Sequence, residues 1–173
     1  MTYRIRRSAL GSSILLLAAC QAQYPECDTF EFGDLETEPR VEDPDASFDD
    51  CGSVRAAGMM EMPVVEDQSA LDCALANIAD GRATRLEIAW SPDAEYSEQA
   101  TLWSDDAGLT MRWRSMTNDL NLDREARLFQ LDRERVNACR DLADAGARFT
   151  CLYDAFDAAD IVETCATKMR YSE

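Results

Sequence analysis

Between residues 69 and 80 apolar side chains recur every three or four positions, and from residue 85 onward they recur every second position. In SALDCALANIADGR the first spacing puts Leu71, Ala74, Leu75 and Ile78 on one face of a helix, with Gly81 as its stop. TRLEIAWS has the period of a half-buried strand, with Leu86, Ile88 and Trp90 on one side and Arg85 and Glu87 on the other. QATLWSDDAGLTMRWRSM reads as a hairpin turning at Asp105-Asp106-Ala107-Gly108. Its expected inward set is Ala100, Leu102, Leu109, Met111 and Trp113. EARLFQL supplies a fourth strand.

The C-terminal stretch RERVNACRDLADAGARFTCLYDAFDAADIVETCATKM is rich in alanine and charge. It predicts two short helices broken near Gly146, the second with an apolar stripe of Phe149, Leu152, Tyr153 and Phe156. The expected fold is α+β: a helix, a four-stranded antiparallel meander, then C-terminal helices, with one sheet face covered. The domain is placed at residues 66–173. On this reading the outer sheet face carries Arg85, Thr101, Trp103, Arg112, Arg114 and Arg127. Arginines around an indole suit an anionic group or a partner protein, so Arg85, Trp103, Arg112 and Arg114 form the candidate binding face.

The first twenty residues have another character. Arg4, Arg6 and Arg7 precede an uncharged run from Ala9 to Ala19, the order of an export signal. The run is shorter than the roughly 20 apolar residues that span a bilayer. Leu17-Ala18-Ala19-Cys20 resembles the lipobox of bacterial lipoprotein precursors at all four positions. That resemblance implies a signal peptide over residues 1–19, cleavage before Cys20, and acyl chains on Cys20 as the sole covalent group. Gln21 is not the aspartate that retains enterobacterial lipoproteins at the inner membrane, so the outer membrane is the expected destination. The layout, with DCALANIADGR, a strand meander, FTCLYDAF and a last cysteine, is similar to that of small lipoproteins of myxobacteria, which supply no activity to carry over.

Seven cysteines occur, an odd number for an exported chain. Setting Cys20 aside leaves Cys27, Cys51, Cys73, Cys139, Cys151 and Cys165, enough for three disulfides in an oxidising compartment. The expected pairing joins Cys27 to Cys51 and Cys73 to the C-terminal segment, with a last pair among Cys139, Cys151 and Cys165. The sequence has no C-x-x-C pair and no histidine, which disfavours zinc and removes histidine-dependent nucleophilic catalysis.

Net charge is −17, and loss of the three leader arginines takes it to −20. Residues 21–72 hold 15 acids and two bases, against 19 and 12 in residues 73–173. ECDTFEFGDLETEPRVEDPDASFDDC therefore reads as an acidic tether over residues 20–65, without the glycine and glutamate of an EF-hand. Such a charge repels nucleic acid and anionic head groups, which leaves the acyl chains as the hold on the membrane. The function expected is a membrane-anchored binding or structural module with an envelope protein partner. The alternative is a histidine-free hydrolase working through carboxylates.

Overall fold

A computed structural model describes residues 48–118 and 121–171, with residues 121–122 and 166–171 described by backbone alone. The signal peptide, Cys20, Cys27 and the tether up to residue 47 lie outside the described residues. The elements in order are β1 (Asp49–Ala57), β2 (Val64–Val65), α1 (Gln68–Asp80), β3 (Thr84–Ser91), β4 (Ser97–Ser104), β5 (Leu109–Thr117), β6 (Asn121–Gln130), α2 (Arg133–Arg140), α3 (Ala145–Asp157) and β7 (Asp160–Tyr171).

They build one sheet of seven strands in the order β2-β1-β3-β4-β5-β6-β7. The α+β class holds, but the sheet is larger than the four-stranded meander the sequence suggests. That meander is β3–β6, all antiparallel. β1 adds to it in parallel, because the chain leaves β1, crosses through α1 and returns as β3. β1 and β2 fall inside the stretch expected to be tether, so the sheet begins well before residue 66. Val54 and Ala56 point into the core, while Gly52 sits where the register shifts between Asp50 and Ser53. That shift breaks the two-residue period and hides the strand in the sequence.

The C-terminal stretch carries the two short helices the sequence suggests, α2 and α3, interrupted at residues 141–144 just ahead of Gly146, which lies in the first turn of α3. Asp144 caps α3, its side chain accepting from the backbone N–H of Ala147 at 2.8 Å. Glycine is required at 146 by space, since a Cβ there would stand 2.3 Å from the Pro63 carbonyl oxygen. Past Asp157 the chain becomes β7, not helix. Its β-branched Ile161, Val162 and Thr164 suit an extended edge strand better than their alanine-rich neighbours suggest.

The three helices pack on one face of the sheet. Leu71, Leu75 and Ile78 of α1, Val136 and Cys139 of α2, and Phe149, Leu152 and Phe156 of α3 join Leu86, Ile88, Leu102 and Phe129 in the main core. Asp67 caps α1 by accepting from Ser69 N–H at 3.2 Å, and Gly81 ends it at φ 69°. A second cluster, Trp103, Met111, Trp113, Ala126 and Leu128, is buried on the opposite face of the sheet.

Which residues share a face follows from the pairing, since directly opposed residues in an antiparallel pair point the same way. Ser104 stands opposite Thr110 across the β4–β5 turn. Even-numbered residues of both strands therefore share a face, and Leu102 lies opposite Arg112, which lies opposite Arg127. This reverses the expected orientation of β5: Arg112 and Arg114 point toward the helices, and Leu109, Met111 and Trp113 point away.

Candidate functional site

The reversal gathers charge inside the protein. On the helix side β4 supplies Glu98, β5 supplies Arg112 and Arg114, and β6 supplies Glu125 and Arg127. α3 closes over them with Tyr153 and Phe156. Glu98, Arg112 and Glu125 are 2%, 3% and 4% exposed, values that ionisable side chains reach only when well partnered.

Glu125 is the hub. Its Oε1 accepts from Arg112 Nη2 at 3.5 Å and pairs with Arg114 Nε, and its Oε2 meets Arg127 Nη2 at 2.7 Å. The Arg112 guanidinium lies 4.9 Å from the Phe129 ring centroid and 5.2 Å from that of Phe156. Arg112 Nε and Nη1 have no hydrogen-bond acceptor among the described residues, so those rings supply the attraction there. Burial pulls the Arg112 pKa down, the neighbouring Arg114 adds to that, and Glu125 opposes both.

Glu98 is held differently. Tyr153 donates its hydroxyl to Glu98 Oε1 at 3.0 Å. Burial raises the Glu98 pKa, against the hydrogen bond from Tyr153 and the attraction of Arg114 and Arg112. The Tyr153 hydroxyl is itself pushed well up, first by burial and then by the Glu98 charge. Tyr153 also belongs to an aromatic group: its ring centroid is 5.6 Å from that of Trp90 and 4.9 Å from that of Phe149. With both acids ionised, three arginines face two glutamates. The cluster is thus locally cationic in an acidic protein.

The expected binding face of Arg85, Trp103, Arg112 and Arg114 is divided between the two sides of the sheet. Arg85 and Trp103 stand directly opposite one another on the outer side. Arg85 pairs there with Asp50 at 3.3 Å and Glu87 at 2.5 Å. Arg112 and Arg114, with Arg127, are on the other side. The cluster adds two residues that the sequence reading does not single out, Glu98 and Glu125, and gives Tyr153, expected only as part of an apolar stripe, a polar partner. A signal for them existed, because Glu98 stands in step with the inward Ala100 and Leu102, and an inward glutamate demands a cation. A carboxylate hydrolase would need two acids free to exchange protons with a substrate. Here Glu125 is engaged by three guanidiniums and Glu98 by Tyr153, an arrangement that fastens α3 and β4–β6 together.

The cysteines pair locally. Cys51 joins Cys73, tying β1 to α1, and Cys139 joins Cys151, tying α2 to α3. The first bond replaces both the Cys27–Cys51 pair and the Cys73 link to the C-terminal segment; the second falls within the expected trio. Cys165 is disulfide-bonded as well.

Among the described residues no group of three or more His, Cys, Asp or Glu is placed to hold a metal ion, and no helix is long and apolar enough to cross a membrane. No family model, curated protein or solved structure matches this chain.

Proposed function

We propose that this is an exported protein of the cell envelope, anchored through acylated Cys20 and acting as a binding or structural module at the outer membrane. The observation that carries the reading is the state of the cysteines: Cys51, Cys73, Cys139, Cys151 and Cys165, all five within the described residues, are in disulfides. Thiols kept in a reducing cytosol do not persist as a set of structural disulfides. Oxidation supports export, export gives the lipobox-like Leu17-Ala18-Ala19-Cys20 its meaning, and the odd cysteine becomes the lipid site.

Physical chemistry favours more than one acyl chain, because a single chain of about 0.8 kcal/mol per buried methylene gives only marginal attachment. The module's contact surface is the β1–β2 connection and β2, where Met59, Met62 and Val64 are 61%, 84% and 69% exposed. Adaptable methionines beside a short edge strand suit an envelope protein partner. Palmitate labelling of cells tests the anchor: the wild-type chain takes label and Cys20→Ala does not. An unlabelled wild-type chain would refute it.

A further inference from the structure

Thioethers gather at one place in this protein. Three of the seven methionines stand at 59, 60 and 62, in the run GMMEMP that joins β1 to β2. The Met62 N–H donates to the Met59 carbonyl at 3.0 Å, closing a turn with Met60 and Glu61 at its centre. A closed turn of this kind holds its first and last Cα within about 7 Å. Met60 is half-buried against the main core, whereas Met59, Glu61 and Met62 are exposed. Packing does not account for the outer two, since Met59 and Met62 are 61% and 84% exposed. Met111, a methionine that does serve packing, is wholly buried.

The backbone beneath these side chains is fastened at several points. The Gly58 N–H donates to the Ser91 carbonyl at 3.0 Å, and Trp90 Nε1 donates to the Gly58 carbonyl at 3.0 Å. Thr150 donates its hydroxyl to the Met60 carbonyl, which ties the turn to α3. Pro63 is buried, with its carbonyl against Gly146 of the same helix. The loop is therefore a fixed platform from which Met59 and Met62 project. Each is unbranched and rotates about several bonds, so the two sulfurs can meet across the turn without moving the backbone.

We propose that Met59 and Met62 form a two-thioether site for a soft monovalent metal ion, Cu(I) or Ag(I). Thioether sulfur selects such ions over hard cations, which prefer oxygen. Thioethers are the soft donors left among the described residues, because all five cysteines there are in disulfides. They form no disulfides themselves, so the site persists in a compartment that closes thiols. The acidic chain adds a field that draws cations toward its surface. This places an ion on the surface offered above to an envelope partner, and it depends on neither that partner nor the anchor at Cys20.

Ag(I) is the probe, since it needs no reductant. The full chain, with disulfides intact and any free thiol alkylated beforehand, is titrated with silver nitrate in chloride-free buffer. Native mass spectrometry then counts the ions held. One Ag(I) per chain is expected, undisturbed by excess calcium. Losing an outer-shell group of a metal site already costs about 10–100-fold in affinity, so Met59→Leu with Met62→Leu should weaken binding by more than about 10-fold. Both positions are exposed and leucine keeps their apolar bulk, so the variant folds. Met60→Leu should bind as the wild type does. With isotopically labelled methionine methyls, the Met59 and Met62 signals should move on adding silver while that of Met111 stays. A wild-type chain that takes up no silver overturns the proposal, as does a Met59 and Met62 double variant that holds it equally well. Unmoved Met59 and Met62 methyl signals, or an equal loss in Met60→Leu, overturn it too.

Discussion

Replacing Glu125 by alanine strands a guanidinium in the interior. The Arg112 and Glu125 side chains are 4% and 5% exposed, while those of Arg114 and Arg127 are 20% and 31% exposed. The latter two can recover hydration when their carboxylate is lost, so their share of the cost is discounted. Arg112 cannot, because Phe129 and Phe156 flank it. Breaking a buried pair by removing one partner costs about 3–5 kcal/mol. One stranded arginine with aromatic neighbours places Glu125→Ala near the low end, about 3 kcal/mol. In a domain of this size that lowers Tm by about 10 °C. The diagnostic step is the second substitution. Adding Arg112→Met removes the stranded charge and restores packing, so the double variant should regain more than half of the loss. Urea denaturation followed by far-UV circular dichroism, with disulfides intact, reads both as shifts in midpoint at constant m. A loss under about 1 kcal/mol for Glu125→Ala, the range of exposed ion pairs, would refute this account of the cluster, as would a double variant no more stable than the single.

Three further outcomes follow from the same geometry. Burial raises the folded Glu98 pKa above its unfolded value, so the folded state holds that proton to higher pH; stability from this group is full below the ordinary glutamate range and is lost as pH rises through the folded pKa. Glu98→Gln should flatten that decline in Tm-against-pH curves, and an unchanged profile would count against it. Gly146→Ala, favourable by about 1 kcal/mol in an open helix, should instead destabilise by thermal melting because the new Cβ meets the Pro63 carbonyl. Cys139→Ser with Cys151→Ser opens a bond of sequence separation 12 and should cost about 2–3 kcal/mol in urea midpoints; no change would mean the α2–α3 tie is redundant.

The parts of this fold legible in the sequence are those where one local period governs. α1 is capped by Asp67 and Gly81 around an unbroken apolar stripe, and β3 alternates without interruption. The faces of β5 were not legible, because they depend on the parity of a turn. Pairing Ser104 with Thr110 sends every even-numbered β5 side chain inward, and Met111 and Trp113 look like core residues because they are core, on the other side. A chain with apolar residues on both faces of its sheet gives no local sign of which cluster each joins. Arg112 and Arg114 look solvent-facing in the sequence for the same reason, and their buried counter-ion lies on the next strand. Gly146 illustrates a different limit, since the group that demands glycine belongs to Pro63, distant in sequence.

The central claim concerns seven thiols, and one intact-mass measurement addresses all of them. Chain isolated from the membrane fraction under native conditions is treated with an alkylating agent before and after reduction. The account predicts a chain beginning at Cys20 and carrying acyl mass, with no cysteine alkylated before reduction and six alkylated after it. A retained leader, or thiols that react without reduction, would contradict it.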